Sequence, residues 1–130
     1  MKAPMPALVL VMLLILAAPQ QAIAQSLEGT WSGSGAAKPK SGQTERVRCR
    51  ITYSRQTPKV FGVAAACATP SVTFHQTGTL LMVGPTRFVG DFYNPEYDVS
   101  GRVRVTLKGS TQTVTFSGSK GTGSMTLTRR

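Results

Sequence analysis

One histidine, one tryptophan, two cysteines and five acidic residues are all that 130 positions hold of those types. Each scarcity removes a class of chemistry. A lone His75 with two cysteines and scattered acids supplies no ligand set for a structural or catalytic metal. A Ser-His-Asp arrangement would have to recruit Asp91 or Asp98 to His75, and no nucleophile-elbow glycine pattern accompanies it. No enzyme activity, metal or cofactor is expected. Helical periodicity is missing after the first two dozen residues, and so are low-complexity tracts and domain linkers.

What is present begins with MKAPMPALVLVMLLILAAPQQAIA, where Lys2 precedes an apolar run from Ala7 to Ala18 and the segment closes on Ala22-Ile23-Ala24. That reads as a secretory signal, residues 1–24, with the domain occupying 25–130. The run is short for a membrane span, and no cysteine follows that would carry a lipid anchor. Taking 24 residues from 130 leaves 106, and losing only Lys2 lowers the net charge from +10 to +9. An exported, basic, single-domain chain is expected in the periplasm or outside the cell. Its natural partners are an anionic envelope component, a small apolar ligand or a protein, with nucleic acid disfavoured. Cys49 and Cys67 are expected to be joined in an oxidising compartment.

Alternation of apolar and polar residues, punctuated by turn residues, marks eight strands. They run near 27–35, 43–55, 59–68, 71–83, 86–94, 97–108, 111–118 and 121–129, with residues 36–43 as the single long polar connection. Opposed residues of an antiparallel hairpin share a face, so each turn fixes a register. A turn at Pro58 sets Cys49 against Cys67. Later turns pair Cys67 with Val72, Ala65 with Phe74 and Phe61 with Gly78. Beyond these come Met82 with Phe88, Phe92 with Val99, Phe88 with Val103, Val105 with Val114, Phe116 with Met125 and Val114 with Leu127. One continuous apolar face results, and eight strands in up-and-down order close into a single antiparallel barrel with one hairpin disulfide.

A membrane barrel needs an apolar exterior, whereas here the outer set holds Arg46, Arg48, Arg50, Arg102, Arg104 and Lys108. The expectation is a monomer that does not span a membrane. Its inner phenylalanines, Phe61, Phe74, Phe88, Phe92 and Phe116, are expected to fill an eight-stranded interior, with a pocket at one mouth as the other option.

The opening LEGTW, with Gly29-x-Trp31, resembles the first-strand signature of the calycins, the lipocalin and avidin group. That resemblance implies that Trp31 closes one end of the barrel, packed by a basic residue near the final strand, a part that Arg129 takes by position. A second resemblance is to the small periplasmic inhibitors of bacterial metalloproteases, also barrels with one hairpin disulfide, which present their mature N-terminus to the enzyme. Here Gly29-Thr30-Trp31 follows closely on Gln25 and Ser26 and leaves few residues ahead of the first strand.

Three surface features remain. DFYNPEYD gathers Asp91, Glu96 and Asp98 with Tyr93 and Tyr97, read as a turn with solvated acids in preference to a weak calcium site. Arg46, Arg48 and Arg50 on one wall, with Arg87, Arg102, Arg104 and Lys108 on another, form a basic surface without the interleaved aromatics of single-strand nucleic-acid binders. Leu81 and Val89 oppose each other outside as a small apolar spot. The function expected is non-catalytic binding in the bacterial envelope, at the barrel mouth or the basic surface, with protease inhibition as the alternative.

Overall fold

The computed structural model describes residues 26–130, and the expected secretory segment lies outside them. Eight strands follow in order: β1 (Gly29–Pro39), β2 (Glu45–Thr57), β3 (Val60–Ala68), β4 (Thr73–Gly84), β5 (Arg87–Asn94), β6 (Val99–Lys108), β7 (Thr111–Gly118) and β8 (Gly121–Arg129). Each pairs antiparallel with its sequence neighbours, and β1 pairs with β8, so the sheet is a closed barrel. Closure leaves no free edge. Cys49 and Cys67 are opposite each other on β2 and β3 and form a disulfide.

Face assignments follow from strand alternation. Val47, Cys49, Ile51 and Tyr53 are buried inside, while Arg46, Arg48, Arg50, Thr52 and Ser54 between them are exposed. The registers of β2–β3, β4–β5 near the turn, and β6–β7 are those expected: Cys49 with Cys67, Met82 with Phe88, Val105 with Val114.

Three hairpins differ by two positions, a shift that preserves the face. Phe74 pairs with Cys67 and Leu80 with Phe61, because Thr69–Val72 forms the turn, closed by Thr69 N donating to Val72 O at 2.8 Å. His75 accordingly lies beside Ala66. Phe92 pairs with Gly101 and Phe88 with Val105, because the turn spans 95–98; Asn94 Oδ1 accepts from Tyr97 N at 3.1 Å, and Asp98 takes a left-handed φ of 51°. Phe116 pairs with Gly123 and Val114 with Met125, because the last turn is centred on Ser119-Lys120. Apolar-to-apolar matching misplaces these pairs since two of the rings lie against glycine. A Cβ on Gly123 would sit 1.9 Å from Cζ of Phe116.

The connection expected at 36–43 is shorter: Ala36 to Pro39 continue β1 against β8. Gly33 and Gly35 let β1 press onto β8, where a Cβ would fall 2.0 and 1.8 Å from the carbonyl oxygens of Thr126 and Ser124.

Interior filling is uneven along the axis, contrary to the expected packing by phenylalanine. One end is solid. There Trp31, Phe61, Phe88, Leu27 and Leu127 are all at most 1% exposed, and Phe61 meets Phe88 edge-on with centroids 5.3 Å apart. Toward the other end Phe74, Phe92 and Phe116 are only half-buried, and they border open space.

Candidate apolar cavity and its sealed floor

Ser26 to Glu28 cross the solid end and are fastened there. Trp31 Nε1 donates to Leu27 O at 2.9 Å. The Arg129 guanidinium stands over the Trp31 ring, 4.4 Å from its centroid, and donates to the carbonyl oxygens of Glu28 and Ser26. A cation on an aromatic face combined with charge-assisted bonds to backbone carbonyls fixes the segment from both sides. Glu28 also pairs with Arg55 at 2.5 Å, and Arg55 lies 4.9 Å from the Phe61 centroid. Trp31 and Arg129 are direct cross-strand partners.

Above this plug lies a cavity of about 380 Å³, bordered by Val47, Cys49, Ala65, Phe74, Val103 and Met125 among others. Its walls are mainly apolar side chains and bare glycine backbone, with Gln76, Thr77, Thr79 and Asp91 on the β4–β5 side. Gly78, Gly90, Gly118 and Gly121 border it from four strands; Gly78 leaves room for a side chain, while at the other three a Cβ would fall 2.3–2.6 Å from a neighbouring carbonyl oxygen. Both disulfide cysteines border it, at 5% and 8% exposure. The staple therefore fixes the cavity wall itself.

Polar groups occur at its two ends. Tyr53 borders the floor, and its hydroxyl donates to Gln112 Oε1 at 2.7 Å. Burial pushes the Tyr53 phenol far above its usual range, and the Gln112 hydrogen bond offsets only part of that rise. Gln112 is fully buried, and its Nε2 has no partner among the described residues. At the mouth Glu45 accepts from Ser71 Oγ at 2.9 Å, Lys120 Nζ donates to Tyr97 O at 2.9 Å, and the Tyr97 hydroxyl donates to Thr73 O at 3.2 Å. These contacts span the turns that ring the opening.

Among the described residues no three of His, Cys, Asp and Glu come together as a metal site. His75 is exposed on the outer face of β4. Asp91, Glu96 and Asp98 stay on the surface, and Asp91 pairs with Arg102 at 3.3 Å. The arginines divide between strands. Arg46, Arg48 and Arg50 are on β2, with Arg48 and Arg50 beside Ala68 and Ala66; Arg102, Arg104 and Lys108 are on β6, and Arg87 is on β5. In a ring of eight, β2 and β6 are diametrically opposed, and the two groups form no common surface. From the sequence, a pocket at one mouth ranked second to an interior filled by phenylalanine.

No protein-family model matches the sequence, and no curated protein matches it either. Several solved structures share its shape. A redesigned β-barrel, mFAP1, bound to DFHBI superposes with a TM-score of 0.67 at 14% identity, over 79% of this chain and 94% of that one. Rv2717c from M. tuberculosis gives 0.55 at 11% identity, over 80% and 92%. A point mutant of the fluorescent protein UnaG gives 0.50 at 12%, over 80% and 96%. At such identities the likeness is one of fold.

Proposed function

We propose that this protein is a non-catalytic carrier or receptor that holds one small, largely apolar molecule in the open half of its barrel. The observation that carries the reading is the 380 Å³ apolar cavity above a sealed floor. Small-molecule sites generally measure about 300–1,000 Å³, are mainly apolar and have a few placed polar groups. Tyr53 below and the Glu45, Tyr97 and Lys120 rim above match that description. The DFHBI-bound mFAP1 barrel supports it by fold analogy, and so does the calycin-like Gly29-x-Trp31 start with its arginine. Protease inhibition through a free N-terminal trunk is less well supported, because Ser26 to Glu28 are tied to Arg129 and Arg55. The disulfide and the signal-like residues 1–24 support export to the periplasm or beyond.

Titration with Nile red, a neutral fluorophore that brightens in apolar surroundings, tests the site. Saturable binding is expected to the parent protein. Ala65→Phe, which puts a ring into the cavity from β3, is expected to weaken it by about 10-fold or more with the circular dichroism spectrum unchanged. Equal binding by a folded Ala65→Phe protein would falsify the assignment.

A further inference from the structure

Seven of the eight strand seams carry a ladder along most of their shared length, and the β4–β5 seam does not. Only Leu81–Val89, Met82–Phe88 and Gly84–Arg87 pair, all beside the turn. Toward the mouth side chains bridge the strands instead. Gln76 Nε2 donates to Tyr93 O at 3.0 Å, and Asn94 Nδ2 reaches His75 O at 3.4 Å. Between these bridges and the turn the strands approach without a ladder, on bare backbone at Gly90, where a Cβ would fall 2.3 Å from Thr79 O. Gly78 is bare, and a Cβ there would meet nothing nearer than Asp91 O at 3.9 Å. Thr77, Thr79 and Asp91 belong to the outer alternation of their strands, yet all three border the cavity. The cavity lining therefore extends into this seam as well as to the mouth.

The surface around the seam is unlike the rest. Among the described residues the exposed large hydrophobics are Val72, just ahead of β4, Leu81 and Val83 on β4, and Tyr93 on β5. Leu81, about half exposed, continues a row from Val60 through Val89 to Arg104. Lys59 and Arg87 stand at the turn end, and Arg87 leans across Gly84 with its Nη2 3.8 Å from a Cβ built there. Asp91, the acid on this wall, is paired with Arg102; Glu96 and Asp98 lie in the turn beside the mouth.

We propose that the β4–β5 wall docks on an anionic lipid bilayer, and that the seam is a side door through which an apolar ligand passes between bilayer and cavity. The proposal rests on the cavity being a ligand site. Aliphatic residues bordered by lysine and arginine suit a membrane interface, where apolar burial and attraction to anionic lipid act together. A second copy fits poorly, because it would set Lys59, Arg87 and Arg104 against like charges in a chain of net +10.

Vesicles of equal parts phosphatidylglycerol and phosphatidylcholine, carrying Nile red, provide the test. The parent protein is expected to co-sediment with them and not with phosphatidylcholine alone. Arg87→Gln with Arg104→Gln is expected to weaken that binding by about 5-fold per cation; Leu81→Ser with Val83→Ser is also expected to weaken it. Thr79 lies against Gly90, next to Asp91, so Thr79→Cys with Asp91→Cys, bridged by a short bifunctional thiol crosslinker, locks the seam. The locked protein is expected to bind Nile red from solution with unchanged affinity but to take it from vesicles at least about 10-fold more slowly than either single variant. Equal transfer by the locked form overturns the side door. Vesicle binding indifferent to Leu81 and Val83, or a dimer that buries them, overturns the docking face. Failure of the parent protein to bind Nile red in solution rejects the cavity reading, and this proposal with it.

Discussion

Tyr53 and Gln112 form a polar pair at the floor of an otherwise apolar interior, and their energetics can be worked out from the hydrogen bonds. The pair shares one bond, 2.7 Å long, while Gln112 Nε2 is buried without a partner among the described residues. A stranded buried donor costs about 1–3 kcal/mol, whereas a made bond contributes only about 0.5–1.5 kcal/mol net. Tyr53→Phe removes the bond and strands Gln112 Oε1 as well, so a loss of about 1–3 kcal/mol is expected. Gln112→Leu removes the stranded amide but leaves the Tyr53 hydroxyl unpaired; the two effects are similar in size and opposite in sign, with a net near zero. The double variant strands nothing and is expected to exceed the parent by about 1 kcal/mol, or about 5 °C in midpoint for a domain of this size. Thermal melts of the four proteins of this cycle, followed by far-ultraviolet circular dichroism, give all the quantities needed. A double variant less stable than the parent, with its fold intact, would show that the Gln112 amide is satisfied in solution and that the accounting is wrong.

Tyr53 also sets an alkaline limit. Its phenol is held above the usual range in the folded protein, while an unfolded tyrosine ionises near pH ~10. The unfolded chain then releases a proton that the folded one keeps. This contribution to stability is complete below about pH 10 and falls by about 1.4 kcal/mol per pH unit above it. Urea midpoints measured on either side of that value are expected to show the fall in the parent and its reduction in Tyr53→Phe; identical pH profiles would remove burial as the cause. At the sealed end, Arg129→Met keeps the stem of the side chain but loses the cation over Trp31 and the bonds to Ser26 and Glu28. A cost of about 1–3 kcal/mol is expected, with red-shifted emission from Trp31, the only tryptophan. Unchanged emission would mean that the segment over the floor stays closed without its arginine.

Much of this barrel is legible in the sequence because one quantity, strand parity, determines several observations. Alternation along RVRCRITY assigns Val47, Cys49, Ile51 and Tyr53 to the inside whichever neighbour each meets. A register error of two positions leaves that assignment intact, which is why the faces and the disulfide survive three misplaced hairpins. What parity cannot give is partner identity. Apolar-to-apolar matching presumes that large residues seek large neighbours, yet Phe92 lies against Gly101 and Phe116 against Gly123. Closing the turn at 95–98 depends on Asn94 Oδ1, and at Ser119-Lys120 the chain is held by Ser119 N donating to Ser100 O and Lys40 N donating to Lys120 O, contacts with no strong sequence signature. The unladdered β4–β5 seam was illegible for a related reason: an absent hydrogen bond leaves no mark, although Gly78 and Gly90 are both inner residues of the two strands that meet there.

The cavity follows from where the inner-face volume was spent. An eight-stranded barrel is just wide enough for side chains to fill, so an interior whose large residues gather at one end leaves space at the other. Large residues converge on one end, with Trp31, Phe61, Phe88 and Leu127 from four different strands and Leu27 laid over them. Each aromatic buries about 150–250 Å², which concentrates the driving force for folding at that end. At the other end the inward positions include Gly78, which leaves room for a side chain, and Gly90, Gly118 and Gly121, where strands close in on bare backbone. There the two strands carrying Cys49 and Cys67 are held by a covalent bond in place of a packed core. A barrel built this way does not need its open half filled in order to fold. That leaves the walls around Val47, Phe74 and Val103 available to a ligand, and it confines the structural role of Trp31 and Arg129 to the floor on which such a ligand would rest.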